Sequence, residues 1–240
     1  MSYRHHKARR PLRLLQINVR KSGTSHELAL ATAFMERVDI VLIQEPYIYS
    51  DPQRRITKRH PAYECFTPID NWSTQPRVLT YLRKGIGLQA EQLMPIPSTD
   101  IAARDLLFLF VLSPSHQNIL IINIYNAPPG SRNEQAAIDT LLRLPISMFT
   151  ASTFLAGDFN LHHLHWQPSF QYSTAAAEPF VSWIDKLSLH LTSEVDVRTH
   201  IQGNVLDLAF ASDKLLALGV ETAVATHLDI TSDHYPLLTE

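Results

Sequence analysis

Acidic and amide side chains recur in this sequence where apolar, strand-like runs end. Asp207 opens one such run, and the others lie at or just past strand ends: Asn18, Glu45, Asp158, Asn160 and the neighbouring pair Asp233 and His234. The ends of strands in stacked sheets meet at one edge, where a rigid scaffold presents side chains to solvent. We therefore predict that these residues form a single site.

Two of these carboxylates are surrounded by apolar residues. Glu45 ends a strongly apolar run, and Asp207 is flanked by apolar residues on both sides. A carboxylate in such surroundings needs a cation or hydrogen-bond donors as partners. For Asn18 or Asp158 taken alone, a turn residue or a helix cap remains the simpler interpretation.

The oxygen atoms of this set suit a hard cation. Glu45, with Asn18 and Asp233 close by, offers the carboxylate and amide ligands that Mg²⁺ accepts together with water and phosphate oxygens. A cation held there would neutralise charge on a phosphoester and assist the leaving oxygen. The predicted metal ligands are therefore Glu45, Asn18 and Asp233.

The remaining residues suit proton transfer and charge stabilisation at the same phosphate. Asp158 could take a proton from the attacking water, and Asn160 could donate a hydrogen bond to a phosphate oxygen. His234, oriented by Asp207, could present a positively charged donor. Together these roles predict hydrolysis of a phosphoester.

Apolar runs of strand length must position these residues. The predicted strands cover residues 12–18, 40–44, 64–68, 78–83, 106–113, 119–125, 153–157, 206–211, 220–225 and 236–239. The middle runs alternate with turn residues, which is typical of antiparallel hairpins, and residues 113–116 are predicted to form one such turn.

Three segments between these strands have helical patterns. Thr24 and Glu27 have the spacing of a capping box, and so do Ser131 and Glu134. The predicted buried stripes are Leu28, Ala31, Met35 and Val38 in the first helix, Ile138, Leu141 and Leu142 in the second, and Phe180, Trp183, Ile184 and Leu187 in the third. The mixed order of strands and helices predicts an α/β fold with two stacked β-sheets and helices on their outer faces.

Composition sets limits on organisation and partners. Hydrophobic residues make up 45% of the 240 residues, charged residues only 18%, and no linker-like stretch divides the chain. We predict a basic tail at residues 1–10 and one domain at 11–240. The formal net charge of −2 gives no overall attraction to a polyanion, so any basic surface must be local.

The sequence also indicates the compartment in which the protein acts. No apolar run approaches the roughly 20 residues that span a bilayer, and the first residues have no signal-peptide core. The single cysteine, Cys65, excludes an internal disulfide framework. These features favour a reducing intracellular compartment and no association with a membrane.

Short motifs also follow one another in order along nearly the whole chain. They are Gln16-Ile17-Asn18, Ile43-Gln44-Glu45-Pro46, Asn123-Ile124-Tyr125, Gly157-Asp158-Phe159-Asn160, Leu206-Asp207-Leu208 and Ser232-Asp233-His234. Together they resemble the endonuclease/exonuclease/phosphatase superfamily, which includes deoxyribonuclease I and the apurinic/apyrimidinic endonucleases. The resemblance adds Tyr125 to the predicted catalytic residues.

A second group of motifs resembles one branch of that superfamily, the endonuclease domains of non-LTR (LINE-type) retrotransposons. They are Gln44-Glu45-Pro46-Tyr47, Asn126-Ala127-Pro128-Pro129, Asn160-Leu161-His162-His163 with Trp166, residues 203–210, and Ser232-Asp233-His234-Tyr235-Pro236-Leu237. This resemblance implies a four-layer α/β sandwich and a divalent cation, Mg²⁺ with Mn²⁺ as a substitute. It also implies a nick in double-stranded DNA that leaves a 3′-hydroxyl primer for reverse transcription.

The same resemblance implies partners and a place of action. The reverse transcriptase domain of the same polyprotein would be the partner, action would be nuclear, and no small-molecule cofactor is expected. Arg20 stands where many apurinic/apyrimidinic endonucleases have an acidic residue, which argues against a second cation and against abasic-site repair.

A DNA enzyme also needs basic or aromatic residues along a track beside its site. The predicted DNA contacts are Arg20, Lys21, Arg77, Arg132 and His163, and the resemblance adds Thr199 as a hydroxyl near the phosphate. A nearby run, His162, His163 and His165, has no cysteine beside it and lies in a carboxylate-rich setting, so surface or DNA-contacting roles are favoured over zinc.

Two alternatives stay open from the sequence. The same fold and site could act on a phosphoester other than DNA, since fold does not fix function. The chain could also be a catalytically silent module that only directs binding to DNA, although every predicted catalytic position holds a competent residue type.

Overall fold

The computed structural model describes residues 10–50, 57–69, 75–114 and 117–240. Of the predicted basic tail, residues 1–9 lie outside the described residues, as do residues 115–116 of the predicted turn. The strands are β1 (Leu14–Asn18), β2 (Ile40–Gln44), β3 (Tyr63–Phe66), β4 (Val78–Arg83), β5 (Gln89–Leu93), β6 (Leu106–Leu112), β7 (Ile119–Tyr125), β8 (Thr153–Asp158), β9 (Leu189–Leu191), β10 (Asp207–Ser212), β11 (Thr222–Val224) and β12 (Leu237–Thr239). The helices are α1 (Gly23–Met35), α2 (Ala136–Arg143), α3 (Ala177–Lys186) and the short α4 (Asp213–Leu216), with a 3₁₀ turn at Ile146–Met148.

Within the described residues these strands form two six-stranded sheets. Sheet one has the order β11-β12-β1-β2-β4-β3, and sheet two has the order β5-β6-β7-β8-β10-β9. The pairs β1–β2 and β7–β8 are parallel, and the other strand pairs are antiparallel. The two predicted stacked sheets are confirmed, and each contains both parallel and antiparallel strand pairs.

Apolar side chains hold the molecule together in four layers. Alternate residues of a strand face opposite sides of its sheet, so each sheet contributes to two cores. One core lies between the sheets and includes Leu42 and Ile121. A second joins the outer face of sheet one to α1, and a third joins the outer face of sheet two to α2 and α3. The order helix, sheet, sheet, helix is the predicted four-layer α/β sandwich.

The first predicted capping box is wrong. Ser22 caps α1 by accepting a hydrogen bond from the backbone N–H of Ser25. The predicted stripe is also displaced, because Met35 is 71% exposed while the buried residues are Ser25, His26, Ala29, Leu30 and Ala33. The second half of the helix is apolar almost throughout, so periodicity alone could not identify its buried face. The face that packs on the sheet is the one with small side chains, which allow a close approach.

The second predicted capping box is wrong as well. The Glu134 carboxylate accepts a hydrogen bond from the backbone N–H of Gly130, and α2 begins only after Gln135, which is in the left-handed conformation. The residues 131–134 therefore form a turn before the helix. The predicted apolar faces of α2 and α3 are confirmed through the buried residues Ile138, Leu141, Phe180, Trp183 and Ile184.

Two edge strands were not predicted. β5 has the sequence Gln-Ala-Glu-Gln-Leu and carries exposed polar side chains, so it lacks the apolar signature of a buried strand. β9 has only three residues and directly follows α3. Among the described helices, the longest has 13 residues, and none combines the length and apolarity needed to cross a membrane.

Gly157 is required where β7 and β8 approach each other beside the site. A Cβ atom on Gly157 would lie 1.9 Å from the carbonyl oxygen of Ile124, and its φ of +153° is rare for residues with side chains. The residue before Asp158 can therefore carry no side chain.

We expect Gly157→Ala to destabilise the fold by about 3 kcal/mol or more, since the backbone of a central strand must move. Gly219→Ala is the matched control. Gly219 has φ +85° but nothing within 4 Å of its added Cβ, so its cost is the left-handed backbone alone, about 1 kcal/mol. Urea unfolding of both variants tests this, and equal losses would contradict the close approach of Ile124.

Candidate active site

The polar residues at the strand ends lie close together because their side chains are on the inner faces of the two sheets. In β1, Leu14 belongs to the inter-sheet core, and alternation places Gln16 and Asn18 on the same face. The same alternation places Asp158 and Asp207 on the inner face of sheet two, directly opposite each other in register. The apolar inter-sheet core therefore ends in a polar cluster at one edge of the sandwich.

Asp158 is buried and fixed on both oxygens. Asn18 Nδ2 donates to its Oδ2 at 2.9 Å, and the backbone N–H of Asn160 donates to its Oδ1 at 3.2 Å. The Asn160 side chain donates to the carbonyl of Asn126 at 2.9 Å. Burial, and next the charge of Asp207, raise the pKa of Asp158 to about 7, against the opposing effects of His234 and Asn18. Asp158 can therefore accept and release a proton near neutral pH.

Asp207 and His234 form a buried pair. His234 Nδ1 lies 2.7 Å from Asp207 Oδ2, so it donates to the carboxylate and leaves Nε2 available. Burial alone would lower the pKa of His234, but the charge and hydrogen bond of Asp207, together with Asp158 and Asp233, raise it to about 10. His234 is thus a positively charged donor at neutral pH.

Asp233 lies between two positively polarised groups. Arg20 Nη1 is 3.2 Å from its Oδ2, and His200 Nε2 is 3.4 Å from the same atom. His200 Nδ1 accepts a hydrogen bond from the backbone N–H of Gln202, so Nε2 carries the proton and donates to Asp233. The Ser232 hydroxyl donates to the Asn18 carbonyl at 2.6 Å, which ties this segment to β1.

Glu45 stands at the mouth of the cluster. Lys21 Nζ lies 3.3 Å from Glu45 Oε1. Burial, and then the charges of Glu45 and Asp158, raise the pKa of Tyr125 well above its usual range. Tyr125 therefore keeps its proton and can act as a donor. The Arg77 guanidinium lies 4.9 Å from the centre of the Tyr125 ring.

Several residues of this edge adopt a left-handed backbone. Glu45, Arg20, Lys21 and Asn160 have φ values between 45° and 55°, which are uncommon for residues other than glycine. Each such residue costs on the order of 1 kcal/mol or more and persists only where the surroundings enforce it. The strain is therefore concentrated at the loops that present the predicted site residues.

A basic cavity of about 230 Å³ adjoins Glu45. Its positively charged lining residues are Lys21, Arg77 and Arg104. Arg77 makes two hydrogen bonds to the buried carboxylate of Asp105, and Arg104 Nε lies 3.9 Å from the same residue. Glu45 also lines this cavity, so its wall combines three basic side chains with one carboxylate.

The donor set fits a hard divalent cation. Lys21 and Arg20 already stand against the carboxylates of Glu45 and Asp233, which shows that both attract positive charge. Asn18 Oδ1 accepts one hydrogen bond from the backbone N–H of Arg20 and keeps a second lone pair. A cluster of His200, Asp233 and His234 also exists, with ligand atoms within 4.8 Å of one another. In that cluster both ring nitrogens of His200 are engaged, and His234 Nδ1 is bonded to Asp207, so the oxygen set suits a cation better.

The predicted DNA contacts fall into different surroundings. Arg20 and Lys21 are exposed at the edge, Arg77 lines the basic cavity, and Arg132 is exposed in the loop after β7. His163 is mostly covered and lies 3.0 Å from Glu178 of α3, so it is paired within the protein.

Thr199 does not present a hydroxyl to DNA. It is 1% exposed, and its Oγ1 accepts hydrogen bonds from the backbone N–H groups of Leu206 and Asp207 at 2.9 and 3.0 Å. The expected direct contact is therefore corrected to a structural one. Thr199 holds the start of β10 and, through it, the position of Asp207.

Sequence reasoning missed residues that complete the site. They are Gln16, Gln44 and Asn123 between the sheets, Arg104 and Asp105 at the cavity, and His200 beside Asp233. The first three could have been found from the sequence, because each is a polar residue among the alternate, otherwise apolar positions of its strand that face inward. The others come from loops or strand starts and have no such pattern.

Comparisons with known proteins agree with this architecture. The family model described as "Endonuclease-reverse transcriptase" matches residues 119–238. The endonuclease domain of TRAS1, a telomere-specific non-LTR retrotransposon, superposes with a TM-score of 0.75 at 18% identity, covering 96% of this chain and 98% of that one. No curated protein matches the sequence significantly.

Other solved structures share the fold at lower similarity. An AP endonuclease from Archaeoglobus fulgidus has a TM-score of 0.63 at 14% identity, with 96% and 99% of the two chains covered. A mannosyl-6-phosphatase from Bacteroides thetaiotaomicron has a TM-score of 0.59 at 13% identity, with the same coverage. Identities this low establish the fold alone, which hosts different substrates.

The Arg77–Asp105 pair yields a stability prediction. Removing the guanidinium leaves a buried carboxylate without its main partner, so Arg77→Met should cost roughly 3 kcal/mol. Adding Asp105→Asn should recover part of that loss, because the uncompensated charge disappears. Arg143→Met is the control, since Arg143 is 65% exposed and lies 3.7 Å from Asp100, where pairs contribute roughly 0–1 kcal/mol. Thermal and urea unfolding measure all three; no recovery in the double variant would contradict the charge argument.

Proposed function

From the membership of this chain in the endonuclease-reverse transcriptase family, we propose that it is a divalent-metal-dependent endonuclease that nicks one strand of double-stranded DNA. The observation that carries the proposal is the juxtaposition of two buried pairs, Asn18 with Asp158 and Asp207 with His234. One pair supplies a proton acceptor and the other a charged donor at the same edge. Water attack on a phosphodiester requires both.

The reaction can be followed through the side chains. Asp158 takes a proton from water while the water oxygen bonds to phosphorus and the bond from phosphorus to the 3′-oxygen breaks. His234 Nε2 donates to a non-bridging phosphate oxygen and stabilises its growing negative charge. Asn160 and the protonated Tyr125 add further donors. The leaving 3′-oxygen takes up a proton from solvent, and the products are a 5′-phosphate and a 3′-hydroxyl.

Glu45, with Asn18 and Asp233, would hold the cation. A bound Mg²⁺ supplies charge neutralisation at the phosphate and at the leaving oxygen, and Mn²⁺ has similar ligand preferences. Lys21 and Arg20 form ion pairs with Glu45 and Asp233 in this structure. Both are exposed side chains that can turn outward to the DNA backbone. Their flexible stems make this exchange inexpensive.

The choice of DNA as substrate rests on local charge. The chain as a whole carries −2, whereas the wall of the cavity beside Glu45 contains Lys21, Arg77 and Arg104. A positively charged cavity next to the reacting phosphate suits a polyanion with further phosphates on either side. A small phosphomonoester has no neighbouring phosphates that this cavity could contact.

The family model supports a proposal for the biological role. A 3′-hydroxyl in target DNA can prime reverse transcription, and the family model joins an endonuclease to a reverse transcriptase. We therefore propose target-primed reverse transcription in the nucleus as the process, with a reverse transcriptase domain of the same polyprotein as the partner.

Conversion of supercoiled plasmid to open circle tests the activity and its metal dependence. We expect nicking with Mg²⁺ or Mn²⁺, none with EDTA, and at least a 10³-fold loss in Glu45→Ala and in Asp158→Asn, which remove the metal ligand and the proton acceptor. Asp158→Asn should still bind duplex DNA. Binding without nicking by the wild-type protein under every divalent cation would favour the silent targeting module, and neither binding nor nicking would favour a different phosphoester.

His234→Ala tests the charged donor. We expect a loss of about 10²- to 10³-fold in the nicking rate with little change in DNA affinity, because the donor acts on charge that develops during the reaction. His190→Ala is the control, since His190 is an exposed histidine that also pairs with an aspartate, Asp213. A loss below tenfold in His234→Ala would mean that the donor is assigned wrongly.

A further inference from the structure

Three buried amides cross the inter-sheet core and end on Asp207. Asn123 Nδ2 donates to the Leu79 carbonyl at 2.9 Å, and Gln44 Nε2 donates to Asn123 Oδ1 at 2.6 Å. Gln16 Nε2 donates both to Gln44 Oε1 at 2.6 Å and to Asp207 Oδ1 at 2.8 Å. These four polar side chains are each at most 3% exposed. We call Asn123, Gln44 and Gln16 the amide chain.

The direction of every hydrogen bond in the amide chain is fixed. Asn123 must turn its nitrogen toward the Leu79 carbonyl, so its oxygen is left to accept from Gln44. Gln44 must then accept from Gln16 through its own oxygen. A flipped Gln16 would place its oxygen against both Gln44 Oε1 and the Asp207 carboxylate, so its amide nitrogen stays directed at Asp207.

Asp207 depends on this arrangement because it is fully buried. Its Oδ2 accepts from His234, and its Oδ1 accepts from Gln16. Since the Asp207 side chain has no exposed surface, water does not reach it to replace a lost donor. An aspartate held on one oxygen only could rotate and carry the imidazole of His234 with it.

We propose that Gln16 is a positioning residue for the reaction, which fixes Asp207 and through it the direction of the His234 donor. The inference rests on the proposed nuclease function. Gln16 itself does not reach the substrate, because it lies between the sheets and behind Asp207. Gln44 and Asn123 act further back, by fixing the orientation of the Gln16 amide.

The test is steady-state nicking of a duplex oligonucleotide by Gln16→Met, which keeps the volume and removes both donors. We expect the kcat to fall about 10- to 100-fold, as for other groups that orient a catalytic residue, with the KM for DNA and the half-saturating Mg²⁺ concentration within about twofold of wild type. Thr222→Val is the matched control. Thr222 is buried, its hydroxyl lies 2.9 Å from Thr192 and from Thr239, and it is far from the site, so this variant should lose stability but not kcat.

Non-additivity separates positioning from a general loss of stability. In an Asp207→Asn background, where the carboxylate is already lost, adding Gln16→Met should lower kcat by less than about threefold. Gln44→Met provides the second variant if Gln16→Met does not fold. It keeps the hydrogen bond from Gln16 to Asp207 but allows the Gln16 amide to turn. We therefore expect a smaller loss of kcat at unchanged KM.

Each result decides the inference. A kcat unchanged in Gln16→Met, or in Gln44→Met where that variant has to be used, overturns it. A full additional loss of kcat in the Asp207→Asn background also overturns it. Both results remain distinct from a failure of the proposed function, which would appear as absent nicking by the wild-type protein with Mg²⁺. If wild type nicks and Asp158→Asn does not, the function stands whichever way Gln16 behaves.

Discussion

The structure depends on one constraint: polar side chains that end the inner faces of two stacked sheets leave water and must satisfy one another. An unpaired buried amide or carboxylate costs several kcal/mol, so these side chains need hydrogen-bond partners, and some of these partners come from the opposite sheet. Asn18 meets Asp158 in this way, and Gln16 meets Asp207. These contacts fix the two sheets relative to each other at the edge where the chemistry is proposed. The same interactions that allow the sandwich to close therefore also assemble the site.

Burial also sets the charge states on which the proposed chemistry depends. Burial, and next the charge of Asp207, raise the pKa of Asp158 to about 7, while the surrounding carboxylates keep His234 charged. A proton acceptor and a charged donor therefore exist side by side at neutral pH, which independent surface residues would not provide. The left-handed residues Glu45 and Asn160 show that backbone strain accompanies this arrangement.

The edge of the site carries basic side chains although the protein as a whole is nearly neutral. The buried carboxylate of Asp105 holds the guanidinium of Arg77 in place, and Arg77 and Arg104 both line the cavity beside Glu45. Fixed cations lose little conformational freedom when a phosphate arrives, in contrast to Lys21 and Arg20 at the exposed edge. Proteins of this fold act on different phosphoesters, and local surroundings of this kind rather than the fold must separate their substrates.

The sequence by itself determined the layered α/β class, the inner strands and the principal acids, because apolar runs and polar strand ends are local patterns. It did not determine the start of α1, the edge strands β5 and β9, or the function of Thr199. The Thr199 hydroxyl accepts hydrogen bonds from two backbone N–H groups seven and eight residues further along the chain, and no sequence pattern specifies these contacts. Gln16, Gln44 and Asn123 looked like exceptions within their own strands. Only the stacking of the sheets shows that they contact one another, since hydrogen-bond partners up to 191 residues apart in the chain are chosen by the tertiary structure.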